Sequence, residues 1–140
     1  MRAVFADTVY WIAIVKPNDP WSHSAKAARD KLAFDLIVTT DEVLTEFLAA
    51  LSKSGPHLRC TAVTMVRAIL DNPNVRVVPQ SRDSFRNGLA RYEARSDKQY
   101  SLQDCISMNV MESESISDVL TNDHHFAQEG FTVLMKSDNS

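Results

Sequence analysis

The sequence is poor in the residues that build phosphate loops and soft-metal cages. Glycine occurs only 3 times in 140 residues, which excludes a Gly-rich loop cradling a phosphate. Cysteine occurs twice, as Cys60 and Cys105, and neither belongs to a CxxC pair. That argues against a cysteine zinc site and a disulfide scaffold, and it points to a reducing, cytoplasmic setting. Positive charge is not in excess either. The net charge is −3, so nucleic acid can be held only by a local basic patch or through bound cations. No stretch approaches the ~18–20 apolar residues needed to span a bilayer, so no membrane association is expected. The apolar run after Arg2 is short and is interrupted by Asp7, so no signal peptide is expected. Internal repeats, low-complexity tracts and linkers are absent.

What is present suits one globular domain over residues 1–140. The hydrophobic fraction is 44% and the charged fraction 24%, both ordinary for a folded domain. Dividing the chain would leave two marginal cores. Ala3-Val4-Phe5-Ala6 reads as a buried first strand ending at Asp7-Thr8. Helical segments are expected over Val9–Val15 and Trp21–Ala33, parted by the Lys16–Pro20 turn with its two prolines. Leu36-Ile37-Val38 reads as strand two. Thr39 followed by Glu42 is a capping-box signature, opening a helix whose stripe is Val43, Leu44, Phe47, Leu48 and Leu51. Gly55-Pro56 stops it. An amphipathic helix over Leu58–Leu70 precedes strand three, Val75–Val78. Ser81–Ala94 and Ser101 to about Glu112 are two further helices, the second with a capping-type start at Ser101–Asp104. Asp118–Thr121 reads as strand four, Asn122–Phe126 as a loop or short turn, and Phe131–Leu134 as strand five. Short strands alternating with helices mean βαβ units and a parallel sheet covered on both faces. Such sheets bind ligands outside the carboxyl ends of their strands.

The carboxylates near those ends carry the chemistry. Asp7 ends strand one directly after four apolar residues, where a charge is expensive unless something satisfies it; the plainer alternative is a helix N-cap. Glu46 lies beside the apolar stripe of the helix after strand two. Its competitor Glu42 is accounted for by capping. Asp104 is in the first turn of its helix, where it also complements the helix dipole. Asp118 opens strand four and Asp123 follows its carboxyl end, so Asp123 is the better candidate. Four acids near one end of a parallel sheet, without a Cys or His framework, suit a hard divalent cation such as Mg²⁺ or Mn²⁺. Such ions activate water and stabilise the oxygens of a phosphodiester undergoing cleavage.

Other features read more plainly. His124-His125 lack a metal-ligand spacing and are assigned to a loop or a substrate contact. Tyr10, Trp11 and Trp21 are core or dimer-contact residues before they are base-stacking platforms. Arg82, Arg86, Arg91, Arg95 and Lys98 form a loose basic run, by default a solvated helix face, otherwise a track for an RNA backbone. Ser101 and Thr8 have no general base paired with them in the sequence.

The chain resembles the PIN-domain nucleases, in particular the VapC-type toxins of bacterial toxin–antitoxin pairs. The matching segments are Phe5-Ala6-Asp7-Thr8, Glu42-Val43-Leu44-Thr45-Glu46-Phe47, Tyr100-Ser101-Leu102-Gln103-Asp104-Cys105-Ile106-Ser107, and Val119-Leu120-Thr121-Asn122-Asp123-His124-His125-Phe126 with Gly130-Phe131 after it. They occur in the family's order across nearly the whole chain. The resemblance implies an α/β fold, a three-layer α/β/α PIN-like sandwich with a five-stranded parallel sheet of order 3-2-1-4-5. It implies Mg²⁺- or Mn²⁺-dependent cleavage of RNA, a homodimer, and inhibition by a cognate antitoxin protein. Asp7, Glu46, Asp104 and Asp123 fall on the family's acidic positions and are the expected catalytic and metal-binding residues. The chain departs from many members at His125, where they carry a further acid. Two other folds that place acids at strand ends fit less well. A haloacid-dehalogenase-type site requires a second Asp two residues after Asp7, where Val9 stands. A receiver domain requires a phospho-accepting Asp after strand three, where Pro79-Gln80-Ser81 follow. A non-cutting PIN-like module binding RNA or protein is the non-enzyme alternative, favoured by a missing core acid, and none is missing.

Overall fold

Four apolar residues without a polar interruption require cover on both faces, and the chain provides it. In the computed structural model, which describes residues 2–32 and 35–137, Ala3–Ala6 forms β1 at the centre of the sheet. The other strands are β2 (Leu36–Thr40), β3 (Val75–Val78), β4 (Asp118–Leu120) and β5 (Thr132–Val133). All four pairings are parallel and the order is β3-β2-β1-β4-β5, as the resemblance implied. The helices around it are α1 (Thr8–Val15), α2 (Ser22–Leu32), α3 (Asp41–Leu51), α4 (Pro56–Asp71), α5 (Arg82–Ala94), α6 (Leu102–Ser113) and α7 (His124–Gln128). α1 packs on α2, α3 and α4, whereas α5 packs on α6. None of the described helices is long and apolar enough to cross a membrane.

The core is built on Val4, Phe5, Phe47, Met108, Met111, Leu120 and Phe126, all fully buried. Tyr10 and Trp11 are buried in it edge to face, and Trp21 packs against it partly exposed. α5 and α6 approach closely at Gly88, where a Cβ would stand 2.5 Å from Ile106 Cγ1. Register places the site. Ala6 pairs with Leu120 across β1 and β4, and the Asp7 amide donates to the Leu120 carbonyl at 3.2 Å. The residues leaving both strands therefore emerge side by side.

Three local expectations need correction, and the far end of the Trp21–Ala33 helix, at Ala33, lies outside the described residues. β2 runs two residues further than expected, so α3 is capped by Thr40, whose hydroxyl accepts from the Val43 amide at 3.0 Å. Thr39 instead donates its hydroxyl to the Ala6 carbonyl at 2.9 Å and accepts from Trp11 Nε1. Glu42, one residue out of capping register, accepts from Ser84 Oγ at 3.1 Å and so ties α3 to α5. Finally, the segment after β4 is not a plain loop: it forms α7, with Asp123 as N-cap accepting from the His125 amide at 2.9 Å. Both cap-competent threonines are β-branched, which favours extending the strand by two more pairs, Thr39 with Val77 and Thr40 with Val78.

Candidate active site

Asp7 occupies the N-cap position of α1, yet its carboxylate makes no cap hydrogen bond. It accepts instead from the Thr121 hydroxyl, at 2.9 Å across the ends of β1 and β4. The residue is only 6% exposed, and no described cation pairs with it. Burial is the main cause that pushes its carboxyl up to about 7; the Thr8 amide and the Thr121 hydroxyl draw it down, and the charges of Asp104 and Glu46 raise it further. Glu46 is exposed on α3 and is near enough for its charge to act on Asp7.

Asp104 comes from the first turn of α6 as expected. Its Oδ2 accepts from the Ser101 amide at 3.1 Å while the Ser101 hydroxyl accepts from the Asp104 amide at 3.0 Å, a complete capping box. The cap fixes the carboxylate in place rather than removing it from the site. Burial raises its carboxyl above the usual range, the Ser101 amide and the His125 ring lower it, and the charge of Asp123 raises it. Asp123 leaves the carboxyl end of β4, on the same side as Asp7. Asp118 stands at the other end of β4, with Arg2 at 3.6 Å. The four expected acids thus form a chain of electrostatic neighbours, Glu46 to Asp7 to Asp104 to Asp123.

Two contributors were not among the expected site residues: Thr121 had no role assigned from the sequence, and His125 was assigned to a loop or a substrate contact. Thr121 is fully buried; it donates to Asp7 and accepts from the Asp123 amide at 3.2 Å, so one hydroxyl links both acids. Its only sequence signal is a polar residue directly after a buried strand. His125 is the other. Its Nδ1 lies 3.3 Å from Asp104 Oδ2 and 3.3 Å from Asp123 Oδ1, so it stands between two carboxylates. The Thr8 and Ser107 hydroxyls are buried with no hydrogen-bond partner, one beside Asp7 and the other one helical turn after Asp104. Buried orphan donors of this kind call for an explanation.

Beside this centre lies a second polar cluster of opposite character. Glu129, after α7, accepts from Arg91 at 3.0 Å, Arg95 at 2.8 Å and the Tyr100 hydroxyl at 3.1 Å. Burial would raise its carboxyl, but Arg95, Tyr100 and Arg91 together carry it below the usual range. Burial and the same carboxylate push the Tyr100 phenol up to about 12. Arg91 also holds Asn109 and Glu112. Two members of the basic run are therefore committed internally, while Arg82 and Arg86 remain on the exposed face of α5.

A profile of the PIN domain matches residues 4–131. No curated protein sequence gives a significant match. Among solved structures, the chain is similar to Mycobacterium tuberculosis VapC20, a toxin described as cleaving the sarcin-ricin loop. The two share 25% identity over 95% of this chain and 99% of that one, with a TM-score of 0.83. A toxin–antitoxin complex from Klebsiella pneumoniae gives 15% identity over 96% and 98%, TM-score 0.68. VapBC2 from Rickettsia felis, bound to a fragment of its promoter DNA, gives 14% over 94% and 96%, TM-score 0.65. These last two likenesses concern the fold.

Proposed function

The chain belongs to the PIN-domain family, and from that premise we propose that it is a divalent-metal-dependent endoribonuclease, the VapC-type toxin of a toxin–antitoxin pair. It acts as a single nuclease domain in the cytoplasm. The observation that carries this reading is Asp7: a carboxylate buried at the end of the central strand, beside two more acids, with a hydroxyl partner and no described cation. Burying a charge without compensation is costly, and a cation held by Asp7, Glu46, Asp104 and Asp123 removes that cost.

The donor set fits the ion. Asp7, Glu46 and Asp104 offer oxygen only, which suits Mg²⁺ or Mn²⁺. Once bound, such an ion supplies an activated water and stabilises charge on the phosphodiester oxygens. The chain's own residues do the positioning. Thr121 orients Asp7 through Oδ2 and anchors the Asp123 amide. The Ser101 box locks Asp104 on α6. RNA is the proposed substrate, brought to an acidic site by the cation and by the exposed Arg82 and Arg86.

The similarity to toxin–antitoxin complexes supports an antitoxin protein as partner. A homodimer is proposed on the large apolar side chains left exposed, Val63 and Leu70 on α4 and Phe85, Leu89 and Tyr92 on α5. Light scattering at micromolar concentration should give twice the chain mass of 15.7 kDa; a monomer that still cleaves RNA refutes the dimer as a requirement.

The deciding experiment is cleavage of unstructured and structured RNA with Mg²⁺, with Mn²⁺ or with excess chelator. Cleavage should require the cation, and undiminished cleavage in chelator refutes the reading. Asp104→Asn separates cap from catalyst. The Asn carboxamide oxygen can still accept from the Ser101 amide, so the fold should persist while cleavage falls by more than the ~10–100-fold typical of outer-sphere changes at metal sites.

A further inference from the structure

Asp123, His124 and His125 offer a carboxylate oxygen and two ring nitrogens that all lie within 4.8 Å of one another. From this we propose that they form a mixed nitrogen–oxygen subsite, shared with Asp104, for a divalent first-row transition ion that accepts imidazole, in the range Mn²⁺ to Zn²⁺. The inference rests on the reading of the carboxylates as a metal centre. It adds two ligands and a metal preference that those carboxylates alone do not give.

The spacings suit a coordination sphere. Two donors bound at about 2.1 Å stand about 3.0 Å apart at a right angle, about 3.4 Å at the tetrahedral angle and about 4.2 Å across the ion. Here His125 Nδ1 is 3.3 Å from Asp104 Oδ2 and 3.3 Å from Asp123 Oδ1, and His124 Nδ1 is 4.0 Å from Asp123 Oδ1. Three donors on the turn into α7 therefore lie around one small volume, and Asp104 on α6 adjoins it through His125.

The site is also built from behind. The His125 ring sits edge to face against Tyr100 with centroids 5.4 Å apart. The Tyr100 hydroxyl is fixed by Glu129, which Arg91 and Arg95 hold in turn. Asp123 is held at both ends, its amide on Thr121 and its carboxylate on the His125 amide. His124 is the outer member, with a side chain 75% exposed, and its ring lies tilted at 52° to that of His125, centroids 4.7 Å apart. Outer groups that orient metal-binding imidazoles are a regular part of such sites.

Nitrogen changes the selectivity. Carboxylate-only sites favour Mg²⁺, Ca²⁺ and Mn²⁺, whereas imidazole shifts affinity towards Fe²⁺, Ni²⁺ and Zn²⁺. An acid at position 125 would keep the site all-oxygen.

The test uses the metal-free full chain. Calorimetric titration with Mg²⁺, Mn²⁺ and Zn²⁺ should rank Zn²⁺ and Mn²⁺ above Mg²⁺. Pulsed electron paramagnetic resonance of the Mn²⁺-loaded protein should show ¹⁴N modulation from imidazole. His125→Asp should retain Mn²⁺ binding, lose most of the nitrogen signal and reduce the Zn²⁺:Mg²⁺ affinity ratio at least tenfold. The double change His124→Gln/His125→Gln should abolish the nitrogen signal. A wild-type Mn²⁺ complex without ¹⁴N modulation overturns the proposal, as does an unchanged affinity ratio in His125→Asp. The wild-type spectrum decides alone if either variant fails to fold by circular dichroism. RNA cleavage keeps the two readings apart. Metal-dependent cleavage without a nitrogen signal removes only the subsite, while cleavage in chelator removes the metal centre itself.

Discussion

Two acids with little side-chain exposure, Asp7 and Glu129, are treated in opposite ways. Glu129 is matched by Arg91, Arg95 and a phenol, and its carboxyl is held below the usual range. Asp7 is more buried, receives a single side-chain hydroxyl, and its carboxyl is pushed up to about 7. The protein had arginines within reach of this end of the molecule and placed them on Glu129. An acid paired with cations holds structure together; an acid left uncompensated stores energy that a ligand can release. Proximity to the sheet's carboxyl end does not separate the two clusters, but their charge balance does.

The comparison breaks most visibly at Asp7. An acid whose folded value lies above its ordinary 3.8 binds its proton more tightly when folded. Its contribution to the stability of the metal-free protein therefore falls as pH rises from about 4 to about 7 and is constant above that. At about 1.4 kcal/mol per unit, the ceiling on this loss is about 4 kcal/mol. Asp7→Asn should remove the loss, raising the urea midpoint of metal-free protein at pH 8 while abolishing RNA cleavage. Saturating Mn²⁺ should narrow the gap by stabilising the wild type alone. A destabilised Asp7→Asn protein at pH 8 contradicts the account.

Glu129→Ala should do the reverse. Arg91 is left with little exposure and one of its three partners gone, and breaking a buried pair costs on the order of 3 kcal/mol. Denaturant unfolding should show that loss, while the folded fraction retains cleavage within about tenfold, since the Glu129 carboxylate is engaged by Arg91, Arg95 and Tyr100. Loss of activity without loss of stability would move Glu129 into the reaction. The smallest effect is expected at the strand ends. Asp123→Asn should lower cleavage partly, because water can replace a peripheral ligand, and should weaken the response to Mn²⁺. Asp118→Asn, at the opposite end of β4, should change neither.

The sequence made some of this legible and hid the rest for physical reasons. β1 was readable because an unbroken apolar run needs a covered strand, and β3 because three β-branched valines around Arg76 sit between Pro73 and Pro79. The Ser101–Asp104 cap was readable because its chemistry is confined to four residues. Asp7 stood out because a charge directly after a buried strand is costly. The strand order came from the family resemblance, since nothing local encodes which strands pair. The Thr39–Thr40 boundary slipped because both hydroxyls can cap and only the Ala6 carbonyl, 33 residues away, decides between them. The Glu129 cluster was invisible because its pairs span 29 to 38 residues, with no period to betray them. His125 was set aside because adjacent histidines share no helical or strand spacing, and the fold brings Asp104 to it from α6.

The bond between Thr121 and Asp7 joins residues 114 apart in the chain. Asp7 leaves the ribosome 114 residues ahead of Thr121. A nascent chain that has emitted β1 through α6 already carries Asp7, Glu46 and Asp104, but it lacks β4, which pairs with β1 at Phe5 and Ala6 and leads into Thr121. Domains fold as units once their parts are out, so the centre closes only after β4 and Thr121 have emerged. Fragments ending before Thr121 carry three of the four acids and no assembled site.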